Sequence, residues 1–201
     1  MEEKLNLVQE WDKTFPKSEK VNHRKVTFHN RYGITLAADL YEPKEYEGKL
    51  SAIAVCGPFG AVKEQASGLY AQIMAERGFL SIAFDPSYTG ESGGTPRYVA
   101  SPDINTEDFS AAVDFLSVQE NVDPEKIGII GICGWGGMAL NTAAIDTRIK
   151  ATVVSTMYDM SRIAAKGYFD AQDSEEDRHN SRVAFNTQRT EDYKNGTYKR
   201  A

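Results

Sequence analysis

The sequence predicts an α/β sandwich, in which helices cover both faces of a mostly parallel sheet. Two observations support this prediction. Strand-like and helix-like hydrophobic patterns alternate from Lys20 onward, and several short runs are almost wholly apolar, as in strands that are buried on both faces. The chain has 201 residues, of which 41% are hydrophobic, so it can form one domain with a sizeable core.

The first predicted element is an antiparallel hairpin. Apolar and polar side chains alternate in residues 26–28 and again in 36–40, and the turn Asn30-Arg31-Tyr32-Gly33 lies between the two segments. A period of two is typical of strands with one buried and one solvated face. The hairpin is therefore expected to have one face in water.

The other elements follow in chain order. They are a strand at 51–56, a helix at 66–74 that stops at Gly78, a strand at 79–84, a loop at 87–102, a helix capped by Asn105 or Thr106, a strand at 127–132, a helix at 135–145 and a strand at 151–156. Residues 161–201 are highly charged, with amphipathic helices expected around 163–169 and 183–185. The predicted domains are thus 1–160 and a helical segment, 161–201.

Composition argues against several function classes. The net charge is -6 and no run of basic residues stands out, so nucleic acid is not an expected partner. Residues 1–20 contain no long apolar stretch, which argues against a signal peptide or a membrane span. The two cysteines fit neither a disulfide framework nor a metal site, and neither a metal nor a cofactor is expected. We therefore predict a cytoplasmic protein with free thiols.

One motif suggests chemistry: Gly131-Ile132-Cys133-Gly134-Trp135-Gly136-Gly137, which lies between a buried strand and a helix. A nucleophile on such a sharp turn needs small neighbours, and the helix N-terminus lowers the pKa of a thiol. The Gly134 amide would then face a developing oxyanion. Two other interpretations remain open: Cys133 as an ordinary buried cysteine, and a glycine turn that holds a phosphate.

Three segments in this order resemble an α/β-hydrolase, close to the dienelactone-hydrolase-like group that uses a cysteine nucleophile. They are residues 55–60 after the third strand, 84–94 after the fourth, and 131–133 after the fifth. The resemblance implies a three-layer α/β-hydrolase-type sandwich whose last strands are missing. The chain differs from that group at Gly57, where those enzymes carry a glutamate, and at Trp135, where a small residue is usual.

The resemblance also assigns roles to residues. Cys133 matches the nucleophile, and the backbone amides of Phe59 and Gly134 match the oxyanion hole. Asp85 and Tyr88 match a loop that borders the mouth of the active site, although an aspartate before proline also often caps a turn. The implied activity is hydrolysis of a carboxylic ester, lactone or thioester, with a small acyl compound as substrate.

The acid and the histidine of this family normally follow later strands. After Cys133 the sequence has only His179, while Asp159 is a weak candidate for the acid. We therefore expect both groups beyond residue 201, with 161–201 as a cap or lid. A non-catalytic protein that binds a small ligand or a partner remains the alternative.

Two further expectations concern association and redox state. A sheet that ends at its sixth strand would leave an apolar edge, which suggests a homo-oligomer. The third and fifth strands should be neighbours, so Cys56 and Cys133 would lie at the same end of the sheet. Oxidation to a disulfide would then inactivate the nucleophile.

Overall fold

The computed structural model describes residues 4–199, and they fold into two compact units, which divide after Met157. The first unit contains six strands: β1 (Val21–His29), β2 (Thr35–Pro43), β3 (Leu50–Cys56), β4 (Leu80–Phe84), β5 (Val122–Ile132) and β6 (Ile149–Ser155). Its three helices are α1 (Ala66–Glu76), α2 (Pro102–Ser117) and α3 (Trp135–Ile145). The second unit starts three residues before the predicted boundary.

The six strands form one mixed sheet in the order β1-β2-β4-β3-β5-β6. β1 pairs antiparallel with β2, and β2 pairs antiparallel with β4. The pairs β4–β3, β3–β5 and β5–β6 are parallel. This confirms the predicted hairpin and the mostly parallel sheet, and it brings the carboxyl ends of β3 and β5 side by side.

Helices on both faces of the sheet create the three predicted layers. Successive residues of β3 point to opposite faces because a strand has a period of two. Ala54 and Cys56 pack in the cluster that contains α2 and α3, whereas Ile53 and Val55 pack in the cluster that contains α1. The apolar run at 51–56 therefore has the expected cause, which is burial on both sides.

The prediction that one face of the hairpin lies in water is wrong for β2, because the residues of β2 are almost all buried. Asp39 and Tyr41, both 0% exposed, lie on the face that sequence periodicity places in water. The segment before β1 covers them: Phe15 packs in the same cluster, and Lys13 Nζ lies 3.1 Å from Asp39 Oδ2. A local pattern cannot show that a segment distant in space covers a polar face.

The start of α2 also differs from the prediction. The helix begins at Pro102 with Ser101 at its N-cap, rather than at Asn105 or Thr106. Proline suits the first helical position because its ring fixes φ and its missing N–H has no helical partner there. Asn105 instead accepts a hydrogen bond from the Ser101 backbone N at 2.8 Å and donates to Asp108 at 3.0 Å.

β6 is the outer strand next to β5, and it is the least covered of the parallel strands. Val153 is 53% exposed and Val154 is 37% exposed. Such a strand offers unpaired backbone groups and apolar side chains to another segment. The predicted association through this edge stays a prediction.

The second unit is helical. It contains α4 (Met160–Lys166), a short 3-10 turn (Tyr168–Asp170) and α5 (Glu175–Asn195). Ser174 caps α5 by accepting a hydrogen bond from Asp177 N, and Gly196 ends the helix with a left-handed φ of 62°. None of the side chains of α4 or α5 is buried, and Phe185 is 72% exposed. Within the described residues, no helix is both long and apolar enough to cross a membrane.

Candidate active site

Cys133 occupies a sharp turn between β5 and α3. Its φ is +57°, in the left-handed region that residues with a side chain avoid. Two hydrogen bonds hold this backbone: Cys133 N donates to Ser155 O at 2.8 Å, and Gly136 N donates to Cys133 O at 3.0 Å. The left-handed conformation costs about 1–2 kcal/mol, so it persists only where the surroundings impose it. This is the sharp, strained strand-to-helix turn that the sequence predicts.

The turn excludes side chains at two neighbouring positions. A Cβ at Gly131 would lie 2.4 Å from Trp135 O, which is backbone and cannot move aside easily. A Cβ at Gly134 would lie 1.9 Å from Cδ2 of Phe59. The ring of Phe59 therefore lies directly against Gly134, and the structure brings together the two residues proposed to form the oxyanion hole.

The two departures from the family pattern have a common explanation. The Trp135 side chain turns away from the elbow into the core, where it is 4% exposed and its ring centre lies 5.7 Å from that of Phe59. Gly57 has a φ of +110°, and a Cβ there would lie 2.3 Å from Ile132 O and 2.9 Å from the Trp135 Cβ. A glutamate does not fit at position 57 beside this tryptophan.

The strained backbone leads to a stability prediction. Cys133→Gly is expected to be at least as stable as Cys133→Ala, by up to about 1 kcal/mol, because glycine adopts a positive φ without strain. The control is Asn141, an exposed position inside α3, where alanine should be more stable than glycine by about 1 kcal/mol. Chemical denaturation of the four variants measures both differences. If alanine were more stable than glycine at both positions, the strain at Cys133 would be contradicted.

A buried ion cluster, formed by Lys25, Lys63, Glu64, Asp85 and Glu91, joins the loop after β3 to the loop after β4. The Lys63 side chain is 0% exposed. Its Nζ donates to Glu64 at 2.6 Å and to Asp85 at 2.8 Å, and it also donates to Glu91 at 2.7 Å. Lys25 Nζ contacts the carboxylates of Glu64 and Glu91.

Asp85 is the centre of this cluster. Its carboxylate accepts hydrogen bonds from Lys63 N at 2.8 Å and from Glu91 N at 2.9 Å, in addition to the ammonium of Lys63. Burial disfavours the charged form of Lys63, but the carboxylates of Asp85 and Glu64 outweigh it and raise the pKa of Lys63 above its ordinary value. The ammonium therefore stays charged, and it fixes the loop that carries Phe59.

The predicted position of Asp85 at the mouth of the site needs correction, because its side chain is 0% exposed. The Asp85 side chain is buried under the two loops and supports them, and it does not line an opening. Tyr88 lies four residues before Ser92 and is half-buried. Its ring lies against Gly94, where an added Cβ would be 2.6 Å from Tyr88 Cδ1. The burial of Lys63 and Glu91 could not be predicted from the sequence, since a charged residue in a loop shows no periodicity that reveals its burial.

The two cysteines pack on opposite faces of the sheet. Cys56 is 0% exposed in the cluster of α2 and α3, and its Sγ donates to Phe84 O at 3.5 Å. Cys133 is half-buried and packs against the cluster of α1. Both thiols are free, and this placement does not support the expected disulfide. Burial raises the pKa of Cys56 well above its ordinary value, so that thiol is unreactive.

No histidine of the first unit lies beside Cys133, as far as residues 4–157 show. His23 and His29 belong to β1, which three strands separate from β5, a distance of roughly 19 Å at the usual strand spacing. His23 Nε2 is 2.8 Å from Asp39 Oδ1 instead. Asp159 caps α4 by accepting a hydrogen bond from Arg162 N at 2.9 Å, and His179 lies in α5.

Comparison with known families identifies the protein class. The model of the X-Pro dipeptidyl-peptidase (S15) family matches residues 32–200, which run from within the hairpin turn through the turn at Cys133 into the second unit. The chain belongs to this family. A putative dienelactone hydrolase from Klebsiella pneumoniae has the same fold, with a TM-score of 0.56 over 68% of this chain and 60% of that one at 19% identity. The α/β-hydrolase-type sandwich is thereby confirmed.

Three relatives are closer in sequence. PA2218 of Pseudomonas aeruginosa is 67% identical over 194 residues, which are 96% of this chain and 52% of that protein, and its crystal structure superposes with a TM-score of 0.94, covering 97% of this chain and 61% of that one. YcjY of Escherichia coli is 41% identical over 73% of this chain and 49% of its own length. The thiohydrolase aneE of Aspergillus aculeatus is 32% identical over 68% and 42%. The chain spans about half the length of these curated relatives.

Proposed function

We propose that this chain carries the nucleophile and the oxyanion hole of an enzyme that cleaves a carboxylic ester, lactone or thioester. One observation is decisive for this proposal: Cys133 is held at a φ of +57° between β5 and α3, with Phe59 packed on the next residue. A relative named as a thiohydrolase supports a thioester as the substrate. The free thiols of Cys56 and Cys133 suit a reducing, cytoplasmic setting.

The proposed reaction begins with attack of the Cys133 thiolate on the carbonyl carbon of the substrate. Cys133 stands just before the first turn of α3, whose N–H groups carry partial positive charge. As the carbonyl oxygen becomes negative, the backbone amides of Gly134 and Phe59 stabilise it. Collapse of this intermediate expels the alcohol or thiol and leaves an acyl group on Cys133, which water or a second nucleophile then removes.

Release of an alcohol needs a proton donor, and the water that removes the acyl group from Cys133 needs a base. Because His23 and His29 are remote from Cys133, the base comes from outside the first unit. The same observation favours a second candidate, a non-catalytic protein that binds a small acyl ligand. Formation of a covalent acyl adduct on Cys133 separates the two, since binding alone leaves the mass of the chain unchanged.

The test uses an aryl thioester and intact-mass spectrometry. We expect one acyl adduct per chain, located on Cys133 by peptide mapping, and at least about a thousandfold slower labelling in Cys133→Ala. Cys56→Ala is the matched control, and it should be labelled like the parent because the Cys56 thiol is buried and protonated. Adduct formation that survives Cys133→Ala, or none in the parent chain, would refute the proposed nucleophile.

A further inference from the structure

A pocket of about 280 Å³ opens beside the elbow, between the loop after β3 and the loop after β4. Its lining includes Phe59 and Val62 from the loop after β3, Pro86 and Val99 from the loop after β4, and Trp135 from the start of α3. A water occupies roughly 30 Å³ in the liquid, so the volume suits roughly nine atoms of that size. The pocket is therefore as large as a short acyl chain.

The pocket contains no charged side chain among its lining residues, although 26% of the chain is charged. The charged residues of the same two loops have other partners. Lys63, Asp85 and Glu91 bind one another in the buried ion cluster. Arg97 donates to the backbone carbonyls of Ser92 and Gly90, and so braces its own loop. A carboxylate placed in this pocket would lose water without gaining a cationic partner.

Two residues connect the pocket to the proposed chemistry. The ring of Phe59 lies against Gly134, which follows the nucleophile, and the backbone amide of Phe59 is one of the proposed oxyanion donors. Trp135 belongs to the elbow itself and also lines the pocket. The pocket and the proposed site thus share Phe59 and Trp135.

We infer that this pocket binds the acyl part of the substrate and selects neutral, apolar acyl chains over chains that end in a carboxylate. The inference rests on the proposed function, because the acyl group is placed by attack at Cys133. The ion cluster binds Lys63, Asp85 and Glu91, and Arg97 binds backbone carbonyls, so the residues that line the pocket are uncharged. The pocket therefore discriminates by charge because Lys63, Asp85 and Arg97 are bound to other groups and do not line it.

Binding is tested without chemistry. The chain has two tryptophans, so Trp11→Phe leaves Trp135 as the fluorophore, and Cys133→Ala in the same chain removes the thiol that an alkyl bromide could alkylate. We expect saturable quenching by 6-bromohexanamide, whose bromine would lie near the indole ring. Hexanamide should displace it at a concentration at least tenfold lower than adipamate, which has the same chain length and a terminal carboxylate. Equal competition by the two compounds would overturn the inference.

Variants locate the binding site. Ala61→Phe and Val99→Phe fill the pocket from the loop after β3 and from the loop after β4, and each is expected to reduce the affinity for 6-bromohexanamide at least tenfold while circular dichroism stays unchanged. Ala144→Phe, at an exposed position of α3, is the matched control and should bind normally. Retained affinity in both folded pocket variants would overturn the inference.

Labelling of Cys133 by the hexanoyl and mono-adipoyl thioesters of the same aryl thiol distinguishes the two proposals. Faster labelling by the hexanoyl ester supports both of them. Selective binding without any labelling refutes the proposed nucleophile and leaves the pocket assignment standing. Labelling at equal rates by both thioesters refutes the selectivity and leaves the nucleophile standing.

Discussion

Lys63→Met is expected to lower the free energy of unfolding by about 3–5 kcal/mol, which is the usual effect of removing one partner from a buried ion pair. The methionine fills much of the same space but leaves Asp85 as a buried carboxylate with only two backbone N–H donors. Glu64 and Glu91 keep Lys25 as a partner. Most of the loss therefore arises at Asp85, and urea denaturation measures it.

The double variant Lys63→Met/Asp85→Asn tests that explanation. Asparagine removes the unpaired charge and can still accept one of the two backbone hydrogen bonds, so about half of the lost stability or more should return. Without Lys63 the pKa of Asp85 rises further through burial. Protonation then favours the folded state, and the deficit of the single variant should shrink as the pH falls.

Lys126→Met serves as the control for loss of a lysine. Its Nζ lies 3.1 Å from Asp123, but its side chain is 64% exposed, so the expected change is within about 0.5 kcal/mol. If Lys63→Met lowered the free energy of unfolding as little as this control, the ion cluster would not be what holds the two loops together. An equal loss in the single and double variants would mean that packing, and not the charge on Asp85, is responsible.

Gly131→Ala is expected to have the second large effect. A methyl group at this position would lie 2.4 Å from Trp135 O and 2.7 Å from the Ala139 Cβ, so β5 and α3 must move apart. Overpacking of this kind costs about 1–3 kcal/mol of stability. A shift of the elbow by about 1 Å can cost roughly a hundredfold in rate, and labelling of Cys133 should slow accordingly.

Gly137→Ala is the matched control from the same motif. A Cβ at Gly137 meets no atom within 4 Å, and the residue lies in the first turn of α3. Alanine is preferred to glycine in a helix, so stability should stay equal or rise by up to about 1 kcal/mol, with labelling unchanged. Similar losses in both variants would indicate that the motif needs glycine for flexibility and not for close packing.

The strand and helix pattern could be predicted because it depends on local sequence. Residues 51–56 are apolar on both sides of the strand, and α3 begins and ends as predicted at residues 135 and 145. The glycines that surround Cys133 indicated the elbow, since crowding at such a turn requires small residues wherever it occurs. These features need only one segment and its immediate neighbours.

Other features depend on segments that are distant in the sequence. The burial of β2 follows from a segment more than twenty residues earlier, which places Lys13 beside Asp39. The roles of Lys63 and Asp85 emerge only when two loops meet, because a charge is stabilised or penalised by its partners and not by its position in a pattern. The sequence by itself determined the order of the elements and the position of Cys133 in a glycine-rich turn between a strand and a helix. Only the tertiary structure decided which charges are buried, which thiol is accessible and which loops form the pocket, since these depend on contacts across the sheet.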